Sequence, residues 1–166
     1  EMDKPVIAAV NGAAAGFGMD MALLADIRVM ADSAKFAATM VKRNVVPESG
    51  GTWLLTRLIG WAKAAEIFYR GRTVDAAESL QLGLANTVTT VDQVLPTALA
   101  WAAEIAANAP VAVQTTKRMM RFGANGDFVT SVDHLLMHFL ALSKTNDFRE
   151  ALVAFSEKRE PKFTGT

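Results

Sequence analysis

Two short segments carry residues whose types and spacing could do chemistry. In Pro47-Glu48-Ser49-Gly50-Gly51, a carboxylate lies between a proline and a glycine pair that opens the apolar run 53–59. A carboxylate at or near a helix start could move protons. It could equally do no more than oppose the positive end of the helix dipole, worth from a few tenths to about 1 kcal/mol. The second segment, Ala13-Ala14-Ala15-Gly16-Phe17-Gly18, follows an apolar run and leads into a helical pattern. Small residues let a ligand approach the main chain there, and the first N–H groups of a helix point outward, a setting that suits an anion or a developing oxyanion. The same glycines would also allow a helix to pack tightly on a strand. A phosphate-binding dinucleotide loop is set aside, because its third glycine would fall at Met21.

The elements that must position these segments are readable on either side of them. Lys4-Pro5 leads into residues 6–10, a wholly apolar run closed by Asn11-Gly12, which predicts a buried strand ending in a turn. A helix is expected from within residues 16–18 to about Ala25, and residues 27–31 read as the next strand, so the order is strand, helix, strand. Asp75 with Glu78 three residues on predicts an N-cap, and Gly83 the residue beyond the C-cap, of a helix of about two turns. Residues 84–88 read as an edge strand. From Val91 onward three or four amphipathic helices are expected, punctuated at Asn108-Ala109-Pro110 and at residues 123–126. The expected organisation is therefore an α/β part over 1–90 and a helical part over 91–166.

Composition removes several function classes. Apolar residues make up 51% and charged residues 20%, with 17 basic against 17 acidic side chains, so no net field recruits nucleic acid or an anionic membrane. The absence of cysteine excludes disulfides, thiolate nucleophiles and zinc–thiolate sites, and fits a cytoplasmic protein. The most apolar stretch, residues 6–30, is interrupted by Asn11, Asp20, Asp26 and Arg28, too polar for a membrane span. His134 and His138 share a helix face at i, i+4 but have no evident acidic third ligand, so no metal site is expected. Trp53, Trp61, Trp101, Met119, Met120 and Met137 read as core or subunit-interface packing, and Lys117, Arg118 and Arg121 as a solvated basic stripe.

Taken together, Lys4-Pro-Val-Ile-Ala-Ala-Val-Asn-Gly12, Gly16-Phe-Gly18, Asp26, Ala34-Lys35-Phe36, Pro47-Glu-Ser-Gly-Gly51 and Gly83-Leu84 resemble, in order and spacing, the signature of the crotonase family, the enoyl-CoA hydratase/isomerase superfamily. The resemblance extends over nearly the whole chain. It implies a crotonase-like ββα spiral followed by a helical trimerisation region, with the chain starting at the family's central strand and the N-terminal half of the spiral absent. It implies an acyl-CoA thioester as substrate, with no cofactor beyond the coenzyme A that the substrate carries.

In the family two backbone N–H groups hold the thioester oxygen, and the position matching one of them is Phe17, flanked by Gly16 and Gly18. Removing a C2 proton, or adding to a conjugated C=C, places negative charge on that oxygen, and one such donor typically contributes ~3 kcal/mol. A carboxylate then moves the proton, and apolar cover, which Phe17 and Trp53 could supply, makes it a stronger base. Family hydratases use two glutamates, and the matching positions hold Asp20 and Met40. Methionine cannot exchange a proton, so paired activation of water is disfavoured. Glu48 falls where several family isomerases carry an acidic residue, which implies double-bond isomerisation with Glu48 as the single acid and base. Hydration, with Asp20 and Glu48 orienting a water, is the alternative, and a non-catalytic CoA-binding scaffold is the reading of another class. Ala154-Phe155-Ser156-Glu157-Lys158-Arg159 resembles the family's C-terminal helix, whose matching Phe155 and Lys158 lie near CoA bound to a neighbouring subunit. A homotrimer or dimer of trimers follows from the resemblance.

Overall fold

The computed structural model describes residues 2–166, which divide into two compact units: residues 6–101, and residues 102–166 with the N-terminal segment up to Pro5. The division falls inside a helix at Trp101 rather than at residue 90. The physical reason is that Val94 and Ala98 of that helix are buried in the α/β core and Trp101 packs against it.

The α/β unit begins with β1 (Ile7–Val10), β2 (Ala13–Ala15), α1 (Phe17–Leu24), β3 (Ile27–Ala31) and β4 (Lys35–Ala37), followed by a 3₁₀ turn over Thr39–Arg43. It continues through α2 (Gly51–Ile59), α3 (Trp61–Tyr69), β5 (Thr73–Asp75), α4 (Ala76–Gln81) and β6 (Thr87–Thr89). One parallel sheet runs β1-β3-β6, with Ile7 opposite Ile27 and Val29 opposite Thr87; the other runs β2-β4-β5, with β4 and β5 antiparallel. The central strands are the most buried, as expected when both faces are covered: Val29 and Met30 of β3 and Phe36 of β4 are fully enclosed. Met19 and Leu23 of α1, Leu55 of α2, Ile67 of α3 and Val74 of β5 complete the core.

The expected strand, helix, strand order is present, and α4 has its specified ends: the Asp75 carboxylate accepts from Glu78 N–H at 2.8 Å, and Gly83 adopts φ +77° beyond the C-cap. Two expectations need correction. Ala13–Ala15, expected only as the link from the first strand to the helix, is itself a strand, because its parallel pairing with Lys35–Ala37 supplies what three alanines lack in β propensity. The edge strand starts at Thr87 rather than Leu84, because Leu84 and Ala85 are buried in the core and the Leu84 carbonyl is already occupied. Its donor is the buried Arg28 of β3, whose Nε reaches Leu84 O and whose Nη1 reaches Ala25 O, both at 2.6 Å. Arg28→Met removes both bonds and leaves two carbonyls without donors. Part of the cost is offset by relief of the buried charge, and the urea unfolding midpoint should report a net loss of about 2–3 kcal/mol.

The second unit holds α6 (Pro110–Gly123), α7 (Phe128–Leu142) and α8 (Asn146–Glu157), together with the end of α5 (Val94–Ala106). Here the basic stripe, though partly solvated, is also a clamp. Arg118 and Arg121 reach Asp3, Arg121 also reaches Met2 O, and Lys117 reaches Lys4 O, so the stripe clamps the N-terminal segment onto α6. His134 stacks on Phe122 with ring centroids 4.3 Å apart and meets His138 edge-on at 5.0 Å. Met120 and Met137 are exposed rather than core, as are Trp53 and Trp61 in the α/β unit. Among the described residues no group of three or more His, Cys, Asp or Glu gathers as a metal site, and no helix is long and apolar enough to cross a membrane.

Candidate active site

The turn from β2 into α1 sets the first wall of the site. Gly16 takes φ +52°, ψ −122°, a backbone that side chains strain against, and its own N–H donates to Ala37 O at 3.2 Å. Phe17, the first residue of α1, therefore presents the next amide, which as the first helical N–H has no intrahelical acceptor. A Cβ built at Gly16 or Gly18 would meet nothing within 4 Å. Tight packing is thus not what these glycines serve, and the space beside the main chain is open to a ligand.

Opposite lies the 3₁₀ turn and the segment leading to α2. Ala15, Gly16, Thr39, Met40, Arg43, Val45 and Glu48 line one cavity of about 300 Å³. Three of the residues expected from the sequence, Gly16, Met40 and Glu48, are therefore brought together. Glu48 sits in the turn before α2, two residues ahead of its N-cap Gly50 and outside its first helical turn. The apolar cover expected around it is not found: Glu48, Phe17 and Trp53 are all exposed. Ala15 lies in the small-residue segment expected to admit a ligand, whereas Thr39, Arg43 and Val45 were not legible as site residues, since nothing local distinguishes them.

The buried carboxylate is Asp20 instead, which is 1% exposed. Its carboxyl lies against Gly51 and near the Ser49 and Gly51 amides, while Oδ1 has no hydrogen-bond partner, and Asp20 is not among the cavity-lining residues. Burial pushes the Asp20 carboxyl above the usual carboxylate range. The two amides pull it down and the nearby Glu48 charge adds to the rise. The linkage follows from that sign. A carboxyl raised in the native state favours folding below its unfolded pKa, and that contribution is lost as pH rises through the raised native value. Asp20→Asn cannot ionise, so its melting temperature relative to wild type should climb from mildly acid to neutral pH; a pH-independent difference would show that the native carboxyl is not destabilised.

Phe155 and Lys158 belong to the helical unit, at the C-terminal end of α8: Phe155 is 86% exposed and Lys158 caps the helix at φ +54°.

The chain is 36% identical over 159 residues to a short-chain-enoyl-CoA hydratase of Clostridium acetobutylicum, covering 96% of this chain and 61% of the relative. It is 35% identical over 168 residues to a carnitinyl-CoA dehydratase of Escherichia coli O157:H7, covering 99% of this chain and 64% of the relative. A crystal structure of an enoyl-CoA hydratase from Bacillus anthracis superimposes with a TM-score of 0.97 at 36% identity, over 100% of this chain and 64% of that one. The chain thus spans less than two thirds of the length of each of these three relatives. The family model described as enoyl-CoA hydratase/isomerase matches residues 1–166, which establishes that the chain belongs to the enoyl-CoA hydratase/isomerase family.

Proposed function

We propose that the protein handles an enoyl-CoA thioester and moves its double bond, with Glu48 as the single acid and base. The observation that carries this reading is the cavity, where one carboxylate, Glu48, shares walls with Gly16, and the second family carboxylate position is Met40. Glu48 takes the C2 proton and returns it at C4, so no water is consumed. The Phe17 amide, with Gly16 and Gly18 leaving the approach open, stabilises the enolate oxygen that forms between the two transfers. Coenzyme A belongs to the substrate and no other cofactor takes part. Phe155 and Lys158 contact CoA of a neighbouring subunit in a cytoplasmic homotrimer or dimer of trimers, a role supported by the exposure of Phe155.

Hydration is the second reading, favoured by the activity named for the Clostridium relative and by Asp20, whose carboxyl is close enough to feel the Glu48 charge. There the two carboxylates would orient one water. Following double-bond migration in a 3-enoyl-CoA beside water addition to a 2-enoyl-CoA separates the readings. Migration lost in Glu48→Gln but kept within a few-fold in Asp20→Asn supports the first. Hydration as the faster reaction, lost in both variants, assigns the second.

A further inference from the structure

Arg43 shares the cavity with Glu48, and no part of the proton transfer uses it. Its Nη1 donates to Thr39 Oγ1 at 2.9 Å, one turn back in the 3₁₀ segment, and among the described residues it forms no ion pair. A hydroxyl uses one of the five guanidinium donors and neutralises nothing. The remaining fork matches a carboxylate and is held in place by Thr39. Met40 and Val45 add apolar lining beside the polar groups, and a volume near 300 Å³ is at the small end for ligand sites, so a short chain fits better than a long one.

We propose that Arg43, steadied by Thr39, selects short acyl-CoA thioesters whose acyl chain carries a terminal carboxylate. This rests on the reading of the cavity as the acyl site. A plain surface role, a cation at the end of a 3₁₀ turn, would affect stability slightly and selectivity not at all.

Binding of unreactive saturated thioesters tests the proposal without any turnover. Calorimetric titrations compare matched pairs: butyryl-CoA with succinyl-CoA, hexanoyl-CoA with adipoyl-CoA, octanoyl-CoA with suberoyl-CoA. Wild type should bind the carboxylate member of at least one pair roughly 10- to 100-fold tighter, as a charge-assisted pair supplies. Arg43→Leu should abolish that ratio while the methyl-ended member binds as before, and Arg43→Lys should restore part of it. No preference in any wild-type pair overturns the proposal. Equal weakening of both members in Arg43→Leu also overturns it, since the anion met by Arg43 would then be a CoA phosphate common to both. Failure of the isomerase reading shows up separately, as absent turnover with the binding ratio intact.

Discussion

Glu48→Gln is expected to lower kcat for double-bond migration by about 10²- to 10⁴-fold, the range typical of a positioned acid or base, with KM changed only a few-fold. Glutamine keeps the length and shape of the side chain and the turn before α2, so binding to the cavity walls at Gly16 and Met40 persists. What disappears is the capacity to accept a proton at C2. Exchange of the C2 hydrogens with deuterated solvent should therefore fall with turnover, because both begin with the same transfer. If exchange survives while migration is lost, a different group removes the proton and Glu48 acts only in its return to C4. The surroundings make a rescue by another residue hard: Asp20 is buried with its carboxyl against Gly51, and Met40 cannot exchange a proton.

How much of this was legible in the sequence depended on the range of the forces involved. β1, α1, β3 and both ends of α4 announce themselves through local signals: an apolar run, a glycine turn, an N-cap carboxylate, a glycine beyond the C-cap. β2 did not, because Ala13–Ala15 becomes a strand only through its partner Lys35–Ala37. The same holds for the basic stripe of α6, whose partners Met2, Asp3 and Lys4 lie more than a hundred residues away and cannot be inferred from helical spacing. Within the site, the glycines and Glu48 stood out because their residue types are chemically specific. Thr39 and Arg43 did not, since their significance comes only from the 3₁₀ turn that sets them on one wall with Met40. Asp20 was legible as a candidate but its setting was not: helical spacing places it on α1, and only the packing of α1 on α2 reveals a carboxylate buried against a glycine.

That contact makes Gly51→Ala the sharpest test of the fold around the site. Helix propensity alone predicts a gain, since alanine is favoured over glycine by up to about 1 kcal/mol and Gly51 is the first residue of α2. Packing predicts the opposite. A Cβ there would lie 2.1 Å from Asp20 Oδ1, 2.7 Å from its Cγ and 3.0 Å from Oδ2. Asp20 is too enclosed to swing into solvent, so either α1 and α2 separate or the carboxylate leaves the Ser49 and Gly51 amides. Overpacking of this kind costs about 1–3 kcal/mol, so a net loss of about 1–2 kcal/mol in urea unfolding is expected after the propensity gain. Asp20→Ala combined with Gly51→Ala should recover part of that loss, a coupling of about 1 kcal/mol or more in a double-mutant cycle, because the smaller side chain vacates the space the new methyl needs. Additive losses would place the strain elsewhere in α2. Since Glu48 lies three residues before Gly51 in the same turn, any shift that relieves the clash also moves the carboxylate, and activity should fall further than the fraction of unfolded protein accounts for.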